Sequence, residues 1–133
     1  MSGLLDTSVI VRYLMGEPPG LAGRIADIID TEDGLLVSDV VLAETAYVLT
    51  SVYRVPRASV VDHLIDLIQK ENISLFSLDK SLALQALLLC RPSGRVSFAD
   101  ALVWAAAHSS GTRTVYTLDD RFPKDGLDVR KPS

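Results

Sequence analysis

Apolar residues in this chain alternate between short runs of three or four and longer stretches with helical spacing, which predicts an α/β domain on a mainly parallel sheet. Runs such as Leu35-Leu36-Val37 are hydrophobic at successive positions, so helices must cover both sheet faces in a three-layer sandwich. The length of 133 residues and 48% hydrophobic content suit one closed core, giving the expectation of a single domain over 1–133 without a linker.

The first strand candidate is Gly3–Leu5. A helical pattern from about Ser8 to Met15 stops at Gly16 and the pair Pro18-Pro19. A second covers about Leu21 to Ile29, after which Gly34 turns the chain. Leu35–Val37 reads as a strand, and Ser38 is a suitable N-cap for a helix from Asp39 to about Tyr53, closed by Pro56. Arg57–Lys70 carries Val60, Val61, Leu64, Ile65, Leu67 and Ile68, the pattern of a helix with one buried face. Ile73–Phe76 is the third strand. Asp79 then caps a helix over Lys80–Leu89, and Ser97 caps Phe98–His108, which Gly111 closes. Thr114–Thr117 and Leu127–Val129 complete the strands.

The net charge of −4 argues against a polyanion binder working by charge alone, although acids grouped around bound cations would leave the arginines free to line a phosphate path. The lone Cys90 excludes an internal disulfide and, within LALQALLLC, reads as a buried thiol suited to a reducing cytoplasm. The N-terminus lacks a signal-peptide pattern, and no stretch approaches the roughly 18–20 apolar residues of a membrane span, so a soluble cytoplasmic protein is expected.

Four acids carry the chemistry. Asp6 closes GLLD, Glu44 lies inside SDVVLAETAYVL, Asp100 opens the helix of SFADALVWAAAH, and Asp119 ends TVYTLD. Each has an ordinary reading: Asp6 as a helix cap, Asp100 as part of a capping box with Ser97, and Asp119, like Asp120, as a turn residue. Glu44 is harder to dismiss, because Val40, Val41, Thr45, Val48 and Leu49 surround it and a carboxylate among them needs a partner. In open parallel sheets, sites form beyond the carboxyl ends of the strands, where Asp6 and Asp119 fall. Two carboxylates about 5 Å apart repel by roughly 3 kcal/mol at an effective dielectric of 20, so gathering four requires something positive. No lysine or arginine immediately neighbours Asp6, Glu44 or Asp100, and no Cys or His pair has ligand spacing. A hard cation, Mg²⁺ or Mn²⁺, fits best, and metal-assisted phosphodiester hydrolysis is the matching chemistry. Thr7, Ser8 and Thr117 lie beside the acids, where their hydroxyls either assist a metal and phosphate or simply start a helix.

These segments resemble the PIN domain family and, within it, the VapC-type ribonuclease toxins of toxin–antitoxin pairs. LLDTSVIVRYL is similar to the family's opening strand and Asp-Thr-Ser turn, SDVVLAETAYVL to its glutamate helix, SFADALVWAAA to its third acidic motif, and TLDDRF to its closing Thr-x-Asp-x-x-Phe motif. The resemblance implies strand order 3-2-1-4-5, Mg²⁺- or Mn²⁺-dependent cleavage of RNA, a homodimer and a small antitoxin partner. It also implies that Asp6, Glu44, Asp100 and Asp119 are the catalytic, metal-holding acids, with Asp120 the adjacent alternative to Asp119.

Trp104 lies one turn beyond Asp100, where it either stacks on a base or packs in the core. His63 and His108 read as surface and helix-end residues, and Arg91, Arg95, Arg121 and Lys124 as solvated charge with a possible phosphate role. The alternative function is a non-catalytic PIN-like module binding RNA or protein. A haloacid-dehalogenase-type phosphatase or receiver domain is disfavoured: LLDTS lacks an aspartate two residues after Asp6, and no lysine ends a late strand.

Overall fold

The computed structural model describes residues 3–78, 80–90 and 95–132. Five strands, β1 (Gly3–Leu5), β2 (Leu35–Ser38), β3 (Ile73–Phe76), β4 (Thr114–Tyr116) and β5 (Asp128–Arg130), form an all-parallel sheet in the order β3-β2-β1-β4-β5. Leu4 registers with Leu36 on one side and Val115 on the other, so β1 is central. Gly3, Leu4 and Leu5 are all buried, and successive strand residues face opposite ways, so both faces of β1 are covered. Gly3 is a place of close approach: a Cβ there would lie 2.6 Å from the Tyr116 ring. On β3, an edge strand, Ser74 and Leu75 are exposed, so the expected two-sided burial stops at that edge.

Six helices are seen among the described residues: α1 (Thr7–Met15), α2 (Pro19–Thr31), α3 (Asp39–Ser51), α4 (Arg57–Ile68), α5 (Lys80–Cys90) and α6 (Phe98–Ser110). Helix α1 ends at Gly16 and α6 at Gly111, both in the left-handed conformation that glycine adopts without steric penalty. The Ser38 hydroxyl accepts from the Val41 amide at 3.2 Å and caps α3 as expected. Helix α3 stops at Ser51, ahead of Pro56, which instead holds the N-cap position of α4. The core surrounds the sheet, with Leu4, Leu5, Ile10, Ile25, Ile29, Leu35 and Val103 fully enclosed. A second cluster joins α1, α3 and α4 through Val11, Leu49 and Val60, and a third packs α5 on α6 through Ala86, Ala101 and Ala105.

Two sequence expectations need correction. On α4, Val60 and Leu67 are buried, whereas Val61, Ile65 and Ile68 are exposed, because the helix lies at the periphery and only one edge of its apolar face meets α3 and β3. Cys90 is only half-buried, since it ends α5, and its Sγ lies 3.7 Å from the Ser97 carbonyl oxygen. Asp79, expected to cap α5, and Arg91 lie outside the described residues.

Candidate functional site

At the carboxyl edge of the sheet the chain passes from β1 straight into α1, which puts Asp6 at the N-cap position of that helix. Its side chain makes no capping bond. Instead Asp6 Oδ2 accepts a 2.6 Å hydrogen bond from Thr117 Oγ1, and its amide donates to the Tyr116 carbonyl at 3.0 Å. Thr117 Oγ1 also accepts from the Asp119 amide at 3.1 Å. Because the single Thr117 hydroxyl proton goes to Asp6, Ser8 Oγ, 3.3 Å away, is the donor between those two hydroxyls, and it accepts in turn from the Leu118 amide at 3.0 Å. These bonds lace the exit of β4 to the start of α1.

Glu44, in the second turn of α3, is half-buried and accepts from Thr7 Oγ1 at 2.5 Å. Asp100 sits in the first turn of α6, where Ser97 Oγ accepts from its amide at 3.0 Å. Its carboxyl shares a hydrogen bond with Asp119, whose Oδ1 also accepts from the Arg121 amide at 2.9 Å. The cap predicted from SFAD is therefore present, but the aspartate side chain turns away from it toward the other acids.

Asp6, Glu44, Asp100 and Asp119 all line one cleft of about 380 Å³. Asp120 is exposed and pairs with Lys131, so of the two adjacent aspartates it is Asp119 that faces the cleft. The sequence reading missed Arg12, Val11 and Tyr53 in the same walls and placed Val48 only as part of the apolar surround of Glu44. Helical spacing holds the signal: Val11 and Arg12 follow Thr7 and Ser8 by four, and Val48 follows Glu44 by four. Arg95, Arg121, Lys124 and His63 are exposed outside this lining. Trp104 donates from Nε1 to the Asp125 carbonyl at 3.1 Å and its ring lies 4.4 Å from that of His108, which places both residues in packing rather than in the cleft.

Burial dominates the electrostatics. It raises the Asp6 carboxyl from 3.8 to about 6; the Thr117 hydroxyl and Thr7 amide pull the other way, and Glu44 and Asp119 push it up further. Asp100 is pushed up to about 8 by burial first, then by its hydrogen bond to Asp119 and by the charges of Asp6, Asp119 and Glu44. Asp119 is lowered, mainly by the bond from Asp100. In the metal-free protein, Asp100 and Asp119 therefore share one proton near neutrality.

No three Asp, Glu, His or Cys side chains among the described residues converge tightly enough to form a metal site as they stand. Hydrogen bonds to Thr7 and Thr117, and between Asp100 and Asp119, occupy oxygens that an ion would share. The donor chemistry still fits a hard cation: the cleft offers carboxylate and hydroxyl oxygens, no sulfur or imidazole, and one buried carboxylate oxygen, Asp6 Oδ1, with no hydrogen-bond partner.

Three solved structures share this fold over nearly the whole chain. The Mycobacterium tuberculosis toxin VapC20, described as cleaving the sarcin-ricin loop, is 23% identical, with a TM-score of 0.76 and coverage of 96% of this chain and 98% of that one. VapBC2 of Rickettsia felis, bound to a DNA fragment from its promoter, is 16% identical with a TM-score of 0.69 and 98% coverage of both chains. FitAcB of Neisseria gonorrhoeae is 20% identical with a TM-score of 0.67, covering 98% of this chain and 97% of that one. No curated protein matches the chain in sequence. The PIN domain family model matches residues 3–126, nearly the full length; with the sheet order and the end-to-end run of acidic motifs, this establishes that the chain belongs to the PIN domain family.

Proposed function

We propose that this protein is a Mg²⁺- or Mn²⁺-dependent endoribonuclease acting as the toxin of a toxin–antitoxin pair. The observation that carries the reading is the set of four carboxylates on one cleft at the carboxyl edge of a parallel sheet, with one buried oxygen of Asp6 left without a partner. Family membership and the fold shared with VapC20, a toxin that cleaves the sarcin-ricin loop, support it. Likeness to the VapBC2 complex supports an antitoxin partner.

Asp6, Glu44, Asp100 and Asp119 would hold the ion, which when bound supplies Lewis acidity to activate water and to offset charge developing on the phosphodiester. Thr117 and Ser8 fix the Asp6 carboxylate, and Thr7 fixes Glu44, so the oxygens are oriented before RNA arrives. A homodimer is part of the same reading, and exposed Leu84, Leu87, Leu88 and Phe98 offer an apolar surface for it. Among the described residues no helix is long and apolar enough to cross a membrane.

The test is cleavage of total cellular RNA by purified protein with Mn²⁺ or Mg²⁺, with cut ends mapped by primer extension. Asp100→Asn should abolish cutting and growth arrest while circular dichroism stays unchanged. RNA left intact by the wild type under both metals would overturn the proposal, and RNA binding without cutting would favour the non-catalytic module.

A further inference from the structure

The acids form only part of the cleft lining. One helical turn further along α1 and α3, its walls change character: Val11 and Arg12 follow Thr7 and Ser8, Val48 follows Glu44, and Tyr53 completes the lining beyond the end of α3. Four residues of helix advance about 6 Å, roughly the step from one phosphate to the next along an extended strand. Arg12 is the one basic residue among the described lining residues, and it makes no ion pair with the acids beside it. A guanidinium that lines the cleft one helical turn beyond the acids and pairs with none of them is available to an incoming anion.

Tyr53 is held in place by the backbone. Its amide donates to the Val48 carbonyl at 3.2 Å, the Val55 amide donates to Leu49 at 2.9 Å, and Arg54 between them adopts φ 55, the left-handed region that non-glycine residues rarely enter. A turn locked in this way fixes the backbone of Tyr53, which lines the cleft and is 38% exposed. The volume of about 380 Å³ lies near the lower end of the roughly 300–1,000 Å³ typical of small-ligand sites, which suits one splayed nucleotide.

We propose that Arg12 and Tyr53 form a nucleotide subsite beside the acids, in which Arg12 grips the phosphate next to the scissile one and the Tyr53 ring stacks on an unpaired base. The proposal rests on the ribonuclease reading and narrows it: the substrate at this step is single-stranded RNA, a loop or an unpaired end. Sequence tolerance follows, because any base offers a π-face to the ring and the arginine reads only phosphate.

The experiment uses Asp100→Asn protein with Mn²⁺, titrated into a short dye-labelled single-stranded RNA of random sequence and followed by fluorescence anisotropy. Arg12→Gln and Tyr53→Leu should each weaken binding about tenfold, as expected for a charge-assisted phosphate contact and for one stacked base. Arg12→Lys should recover part of the loss, Tyr53→Phe most of it, and annealing a complementary strand should abolish the Arg12-dependent binding. Unchanged affinity in both Arg12→Gln and Tyr53→Leu overturns the proposal. So does an Arg12→Gln variant whose Mn²⁺ affinity shifts as much as its RNA affinity, because the arginine would then serve the acids. Circular dichroism checks that each variant is folded. Wild-type cutting of total RNA alongside Arg12-independent binding sinks the subsite alone, whereas Arg12-dependent binding without cutting sinks the nuclease reading alone.

Discussion

Removing the charge of Asp6 should stabilise the metal-free protein at alkaline pH, although the carboxylate makes a good hydrogen bond. Burial raises this group from 3.8 to about 6, so the folded state holds its proton more tightly than the unfolded chain. Its contribution to stability is therefore complete below the unfolded value and is lost as pH climbs through the folded one. The gap between 3.8 and about 6, at about 1.36 kcal/mol per pH unit, is worth roughly 3 kcal/mol. That is a large share of the roughly 5–15 kcal/mol that holds a domain of this size together. Asp100 acts in the same direction with a window reaching about 8, and Asp119, which is lowered, opposes it. Asn at position 6 keeps an oxygen for the Thr117 hydroxyl and carries no charge to desolvate, so 3 kcal/mol is an upper bound for its gain. Urea unfolding followed by circular dichroism in EDTA, from about pH 4 to about pH 8, measures this. Wild type and Asp6→Asn should nearly coincide at the acid end, and the variant should lead increasingly toward the alkaline end. Curves that stay parallel, or a variant that weakens as pH rises, would refute the argument that burial, rather than the Thr117 bond, governs Asp6.

Saturating Mn²⁺ should reverse the order, since a ligand at 100 times its Kd stabilises the wild type by about 2.7 kcal/mol while Asp6→Asn gains little; thermal shift measures both. Thr117→Val removes the donor to Asp6 and the acceptor for the Asp119 amide, so it should cost roughly 1.5–3 kcal/mol at neutral pH by urea unfolding and lower kcat for RNA cleavage. On α4, Leu67→Ala should cost about 2–5 kcal/mol and Ile65→Ala less than about 1, because Leu67 is 1% exposed and Ile65 is 43% exposed. Arg54→Gly should raise stability by up to about 1 kcal/mol, because it relieves a left-handed residue and the gain is partly offset by unfolded-state freedom. A loss of stability there would mean that the arginine side chain does more than occupy a turn.

The strands were legible because β1, β2 and β4 are short apolar runs between well-marked helices, whereas their order was implied only by the resemblance to the PIN family. Ser38 and Gly111 announced helix ends through side-chain chemistry that acts within a few residues. Asp6, Asp100 and Asp119 could be located for the same reason, each lying next to a strand end or a helix start, and Glu44 by the apolar residues around it on α3. What the chain hid was relational. The exposure of Val61, Ile65 and Ile68 depends on where α4 sits, since periodicity shows that a face exists but not how much of it is covered. Arg12 resembles a helix-end residue favoured by the dipole until α3 closes the cleft opposite it. The choice between Asp119 and Asp120 turns on which way one peptide points, and that is set by Thr117 and by the pairing of Lys131 with Asp120.

The bond from Thr117 to Asp6 spans 111 positions of the chain and joins a side chain just past the first strand to one just past the fourth. During synthesis Asp6 lacks its donor, and its flanking strand β4, until the segment 111 positions further on has emerged. A polypeptide that stops short of Thr117 therefore lacks both the donor to Asp6 and the Asp119 wall of the cleft.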